Sequence, residues 1–293
     1  MKNILLIALV LLYPVGSALA LSPQEIMMKV EQVAEESNSS AIQKMKLTTC
    51  KYGKKGRKIV CSEKPRVKVI ESVQKDSGPQ GKDSKSIAII LEPIGDKGIG
   101  MLTYDYDDLD KDADTWLYLS ALGKVKRMVS GSDDDDSEGG SFFGTEFSIE
   151  DMESTKIDDF TYKLVKKGDY RKRPVWIIES KPTAKKAGKT RYGKTVAWID
   201  RERFITLKVN LYSRYGKPYK QLVLSGIKNI DGVWVATKVS MNNLKTRRIT
   251  NMKLYSLAFN IDVPDAFLTQ RTLTDFAFRE RELTKLRKFL KER

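Results

Sequence analysis

The chain contains no histidine. That absence removes Ser-His-Asp and Cys-His nucleophilic sites, histidine general bases and the usual zinc constellations. Catalysis would be left to carboxylates, lysine, tyrosine or a metal held by oxygen ligands. Cysteine is scarce: Cys50 and Cys61 are the only two in 293 residues. They flank KYGKKGRKIV, a polar, glycine-punctuated segment that reads as a hairpin turn. An antiparallel hairpin would bring them within reach of a disulfide, and an oxidising compartment would permit the bond. No glycine-rich phosphate loop and no nucleophile elbow occurs. Long apolar runs are lacking too. The longest, at the start, falls short of the ~20 residues a spanning helix needs.

That first run belongs to MKNILLIALVLLYPVGSALA, with Lys2 before an apolar stretch from Ile4 to Leu12 and a closing Ala18-Leu19-Ala20. This is the pattern of a secretory signal peptide cleaved near Ala20. The mature chain is expected to begin at Leu21, outside the cytoplasm. The net charge of +15 takes its meaning from export. A basic exported protein meets anionic headgroups or acidic partner proteins rather than nucleic acid.

Ser22 to Ser37 reads SPQEIMMKVEQVAEES. Ser22 suits a cap, Pro23 the first helical position and Glu25 the third, with Ile26, Val30 and Val33 at helical spacing. From Gln43 the hydrophobic period becomes two. FITLKVNLY places Ile205, Leu207, Val209 and Leu211 on one face; GVWVATKVSM does the same for Val233, Val235, Thr237, Val239 and Met241; RYGKTVAWID for Tyr192, Lys194, Val196 and Trp198. Turn signals recur at Gly53–Gly56, Gly95–Gly98, Leu122-Gly123, Lys167–Asp169, Asp200–Glu202, Tyr215–Pro218 and Asn229–Gly232. Roughly eleven or twelve strands follow, in a mainly β fold: a large curved antiparallel sheet forming a barrel or half-barrel. Polar or basic loops interrupt it at Lys75–Ser86, Gly131–Ser154 and Lys181–Lys189. After Ile261 the strands stop. Pro264-Asp265 suits a short helical turn, and the basic TDFAFRERELTKLRKFLKER forms an amphipathic helix with Leu283, Leu286, Phe289 and Leu290 on one stripe.

Two acidic clusters invite a metal reading. Asp105–Asp114 contains the alternation Asp108-x-Asp110-x-Asp112, but Ala113 and Leu119 occupy the positions where a calcium loop needs Gly and Glu. A hairpin turn with solvated aspartates fits better. Asp133–Asp136 is a run of four carboxylates that cannot converge in an extended chain and reads as a solvated insertion. No metal and no cofactor is expected, and the enzyme reading has no positive feature behind it. What is abundant is apolar and aromatic residues on strands. A curved sheet with few helices leaves a concavity to be covered, filled or kept as a binding site for an apolar ligand.

Trp116–Leu122 (WLYLSAL), the basic Lys124–Met128, Ser141–Phe147 (SFFGTEF) and Glu150–Met152 follow one another in a pattern that resembles the LolA-like outer membrane lipoprotein-sorting protein family, in its largely uncharacterised periplasmic branch. Ser120 stands where that pattern has proline. Asp265–Leu273 resembles the family's closing element, so the resemblance runs from about Glu25 to Leu273. It implies an incomplete antiparallel β-barrel with a helical lid over residues 21–273, following the leader 1–20, with 274–293 as a basic amphipathic helix beyond the pattern. It implies a monomeric carrier or chaperone, not an enzyme, that holds a lipid or acylated protein and exchanges it with an inner-membrane transporter or an outer-membrane receptor. Some members are associated with export pumps of the resistance-nodulation-division class, so a non-carrier subunit docking on such a pump is the alternative. The expected ligand-binding residues are Trp116, Tyr118, Trp198, Leu207, Val209 and Trp234 as lining. Phe142 and Phe143 are expected on a mobile segment at the mouth, where Lys124, Lys126 and Arg127 would attract headgroups.

Overall fold

The computed structural model describes residues 21–35, 39–56, 58–128 and 140–292. The expected leader 1–20 and the aspartate run 133–136 lie outside the described residues. The chain opens with helix α1 (Pro23–Glu35). Its start is a capping box: the Glu25 N–H donates to Ser22 Oγ at 3.2 Å, and the Ser22 N–H donates to Glu25 Oε2 at 2.6 Å. The two reciprocal bonds satisfy donors that the first helical turn would leave orphaned.

Strands then dominate: β1 (Ser40–Lys55), β2 (Lys58–Cys61), β3 (Arg66–Ser77), β4 (Asp83–Glu92), β5 (Gly100–Asp105), β6 (Asp114–Leu119) and β7 (Lys124–Met128). After the 140–156 segment come β8 (Phe160–Tyr170), β9 (Arg173–Pro182), the short helix α2 (Ala184–Ala187), β10 (Tyr192–Asp200), β11 (Thr206–Ser213), β12 (Pro218–Ile230), β13 (Val233–Asn243) and β14 (Arg248–Phe259). The chain ends in α3 (Gln270–Thr274), α4 (Phe276–Arg287) and a two-residue β15 (Lys291–Glu292). The sheet order is β7-β6-β5-β4-β3-β1-β14-β13-β12-β11-β10-β9-β8, antiparallel throughout, with β2 paired to β1 and β15 to β14. It is a curved sheet that does not close: among the described residues β7 and β8 are its free edges. Local pairing of successive strands builds nearly all of it. The one long-range seam, β1 against β14, joins the two halves.

Several turns fall where the sequence places them, and two boundaries move. Lys167–Asp169 continues β8, and the chain reverses at Arg171 and Lys172, both at positive φ. The polar stretch 75–86 is mostly strand, because β3 and β4 run on to Ser77 and from Asp83. Cys50 and Cys61 form the disulfide, with Cα atoms 5.7 Å apart, at the end of the β1–β2 hairpin.

Each face of the sheet is covered over part of its extent. On the outer face Ile42, Val73, Ile87, Ile89 and Leu102 meet Phe267, Leu268, Leu273, Phe278, Leu283 and Leu286 from the C-terminal segment. Arg287 fastens this layer. Its guanidinium donates to the buried Glu71 carboxylate of β3 through Nε at 3.0 Å and Nη2 at 2.7 Å. The segment set apart from residue 274 thus starts within α3 and spends most of its apolar stripe on the sheet. Phe289 alone of the expected stripe is exposed. On the inner, concave face α1 packs Ile26, Met27 and Val30 against Trp176, Ile178, Ala197 and Ile199.

Candidate functional site

The segment 140–156 crosses the concave side as a strap. Its first half, Ser141–Ser148, is a tight hairpin: the two serines bridge, and the Phe142 N–H donates to the Phe147 carbonyl at 2.8 Å. Phe143 and Gly144 turn the chain at positive φ. The turn drives Phe142, Phe143 and Phe147 inward, among Met45, Leu47, Ile70, Ile90 and Met101. Phe142 is 4% exposed and Phe143 6%. The expectation of two phenylalanines on a mobile mouth segment is therefore corrected. They fill the bottom of the concavity, because Glu146 on the opposite side of the hairpin is held by Arg248 Nε and Asn243 Nδ2, each at 3.0 Å.

The second half of the strap carries the acidic pair Glu150-Asp151. Asp151 accepts from Lys220 Nζ at 2.9 Å and from the Tyr192 hydroxyl at 2.5 Å, and all three side chains are largely buried. Glu150 accepts from the Thr190 hydroxyl and from the Arg191 N–H at 3.2 Å. Burial raises the Glu150 pKa above the ordinary glutamate value, against the pull of those two donors. Burial, with Asp151 beside it, raises that of Tyr192 well above the usual phenol. Further on, Ser154 N donates to Asp105, and Lys156 Nζ to the carbonyls of Asp108 and Lys111. The Asp105–Asp114 turn is itself paired with basic residues: Asp110 with Lys185 and Asp112 with Lys189.

Between the strap, α1 and β8–β13 lies a cavity of about 260 Å³. Its apolar wall includes Met27, Phe147, Val209, Leu211, Leu222 and Met241; Glu150, Asp151, Lys156, Lys186 and Lys194 make a polar end. Across α1 a second cavity of about 370 Å³ is bounded by Val30, Val33, Val233, Val235, Leu257 and Phe259. Thr206 borders both. Both cavities have an apolar wall, but only the first has a cluster of charged groups at one end.

The predicted lining residues scatter over both faces. Val209 lines the first cavity. Trp234 stands at the rim of the second, 37% exposed, with the Arg203 guanidinium 4.4 Å from its ring. Trp116 and Tyr118 belong to the outer face beneath the C-terminal helices, where Trp116 meets Tyr104 edge-on at 5.0 Å. Trp198 and Leu207 also point outward, in a cluster with Val175 and Ile177. The reason is a pair of bulges in β10–β11, at Tyr192/Lys194 and Trp198/Ile199. An extra residue inverts the alternation beyond it, so Leu207 and Val209 end on opposite faces despite equal parity. Gly193 permits the first bulge: a Cβ there would stand 2.8 Å from the Ser213 carbonyl. Of the basic trio on β7, Arg127 is engaged by Asp114. The latch residues Asp151, Tyr192 and Lys220 went unpredicted. No local pattern signals them, since Lys220 and Asp151 stand 69 residues apart.

A family model described as an uncharacterized protein matches residues 82–275. No curated protein matches the chain. Among solved structures, a DUF1329 family protein from Desulfovibrio piger ATCC 29098 is 23% identical, with a TM-score of 0.74 over 86% of this chain and 97% of that one. A domain assigned by name to outer membrane lipoprotein sorting, from Vibrio parahaemolyticus, is 24% identical, with a TM-score of 0.73 over 86% and 98%. A LolA superfamily protein from Nitrosomonas europaea is 17% identical, with a TM-score of 0.62 over 85% and 98%. Identities this low establish the fold, which is the LolA-like open half-barrel. Since the family model covers more than half of the sequence, the chain belongs to that family of uncharacterized proteins.

Proposed function

We propose that the protein is a periplasmic carrier that binds a lipid or a lipidated molecule on the concave face of its sheet. The observation that carries this reading is the cavity between α1 and the strap, apolar along most of its wall and charged at one end. That is the polarity of an amphiphile. Each acyl methylene moved out of water contributes about 0.8 kcal/mol, so a chain is held without an ionic contact, and the end where Glu150 and Asp151 stand with Lys156, Lys186 and Lys194 suits a polar headgroup. At about 260 Å³ the cavity is slightly smaller than the pockets that enclose drug-sized ligands. A whole diacyl lipid therefore requires α1 to move and the two cavities to merge. A related fold named for outer membrane lipoprotein sorting supports the reading. Binding rather than catalysis is the role, and export by the leader at 1–20 supplies the compartment.

Native mass spectrometry of protein purified from membrane-containing cells tests it. A lipid-sized mass that is removed by delipidation, restored by lysophospholipid and lost in Leu222→Trp is expected. A folded protein that is empty and stays empty with lysophospholipid would refute the carrier. The second reading, a subunit docking on an envelope export pump, draws on the unpaired edge of β7 with its exposed Lys124 and Lys126. It predicts the empty protein.

A further inference from the structure

The outer face carries a pocket that shares no residue with the two concave cavities. It holds about 280 Å³ between the Lys97-Gly98 turn, Tyr118 and Ser120 at the end of β6, and the α3–α4 junction. Arg279 of α4 projects into it from a position that is only 4% exposed. A guanidinium has five donors. Here Nη1 makes long contacts with the carbonyls of Thr272 and Leu273, at 3.5 and 3.3 Å. Nε is buried without a hydrogen-bond partner. Nη2 faces Gly98, where even a Cβ would sit 3.4 Å from it. Glycine at that place, with φ +84°, leaves the guanidinium edge open to the pocket.

The nearby carboxylates are engaged by other cations. Glu280 stands 3.9 Å from Arg279 Nε through one oxygen, and its other oxygen accepts from Arg287 Nη1 at 2.9 Å. Asp96 pairs with Lys68, and Asp275 caps α4 through the Phe278 N–H while pairing with Arg271. Among the described residues no carboxylate lines the pocket, whereas Lys97 adds a second cation and Ser120 and Thr274 add hydroxyls. A buried cation whose nearest carboxylate is 3.9 Å away and shared with a second arginine is incompletely paired, and that is costly. The remaining walls are apolar, from Leu273 and the exposed ring of Phe276.

We propose that this pocket binds a phosphate monoester borne on a short apolar group, with the phosphate on Arg279 and Lys97 and the apolar part against Leu273 and Phe276. Two cations match the charge of a monoester, and the planar guanidinium edge offers charge-assisted bonds to its oxygens. The site is independent of the concave cavity, so carrier function can fail while this site stands.

Calorimetric titration of the full mature chain with hexyl phosphate tests the site. Saturable binding is expected, competed by inorganic phosphate and absent for hexanol. Affinity should fall at least about tenfold in Arg279→Met, which removes the charge-assisted bonds. It should fall comparably in Ser120→Leu, which fills the pocket and leaves the guanidinium intact. Absence of saturable binding at millimolar hexyl phosphate would overturn the proposal, as would unchanged affinity in a folded Ser120→Leu protein. Sedimentation with phosphatidylcholine vesicles, with and without phosphatidic acid, identifies the source. Sedimentation that depends on both phosphatidic acid and Arg279 assigns a lipid headgroup. Binding of hexyl phosphate without vesicle sedimentation assigns a soluble ester.

Discussion

Truncating Phe142 to alanine measures how firmly the strap belongs to the core. Phe142 and Phe143 are stacked with tilted rings, centroids 4.6 Å apart, on a floor of methionine, leucine and isoleucine side chains. A buried aromatic removes about 150–250 Å² from water, worth about 4–6 kcal/mol at 25 cal/mol per Å². Core Phe→Ala replacements cost about 3–5 kcal/mol, because part of the cavity relaxes. The same range is expected for Phe142→Ala, read from urea unfolding with an unchanged m-value. Local opening sets a ceiling on the measured loss: if the strap can detach alone, the cost saturates at its own opening free energy. Hydrogen exchange over 140–152 separates the two cases. Faster exchange confined to that peptide marks detachment, and a uniform rise marks global destabilisation. A loss below about 1 kcal/mol with unchanged exchange would refute the placement of Phe142 in the core, since that is the size of a surface substitution. By the same reasoning the double replacement with serine, which the mouth position would have made harmless to the fold, is expected to be the most damaging pair in the strap.

Three further perturbations follow from buried polar groups and the disulfide. Lys220→Met leaves Asp151 buried beside a phenol with no cation, and a loss of about 3–5 kcal/mol in chemical denaturation is expected; a loss near zero would show the pair to be solvated. Asp200 is fully buried. Burial pushes its pKa up, but the bonds from Arg173 and the N–H groups of Glu202 and Arg203 outweigh that and hold it below the aspartate value of 3.8. A depressed folded pKa contributes stability above the unfolded value and loses it as pH falls through the folded one. Asp200→Asn should therefore cost about 3 kcal/mol at neutral pH, with the deficit shrinking in acid; a deficit independent of pH would refute the charge as its source. Replacing Cys50 and Cys61 together with serine closes no loop in the unfolded chain and should cost about 2–3 kcal/mol, while a melting temperature insensitive to reductant would show that β2 frays freely in the native state.

The residues differ in how much of this they disclose. The capping box of α1 is legible because its donors and acceptors are three residues apart. The antiparallel meander is legible because period-two alternation and turn residues are local. Facing is not. Val233, Val235, Val239 and Met241 do share the inner face, since β13 pairs with β12 in one unbroken register. Leu207 and Val209 do not, since Leu207 is itself the extra residue of a bulge. Trp116 and Tyr118 alternate cleanly, yet alternation alone does not tell inside from outside when both faces are buried. The outer layer comes from residues 261–290, far along the chain, so the two tryptophan-rich faces are distinguished only by long-range packing. The Asp151–Lys220 latch is hidden for the same reason, being 69 residues long in sequence.

The two covers of the concavity are held by different forces, which orders their mobility. The strap is anchored by a buried ion pair at Asp151, a second set of charged bonds at Glu146, and three inward phenylalanines. Helix α1 meets the sheet chiefly through Ile26, Met27 and Val30, of which only Ile26 is fully buried. Full burial of an isoleucine is worth about 1.5–3 kcal/mol, and the half-buried pair adds a fraction of that. Breaking a buried ion pair alone costs about as much as the whole α1 contact. The helix is therefore the cover expected to open first, with the strap as the firmer wall. Amide exchange in Pro23–Glu35 should proceed through a lower opening free energy than in 140–152, and Ile26→Ala should lower it further without changing the strap. Stronger protection in α1 than in the strap would invert the order, and with it the route by which a ligand reaches the cavity between them.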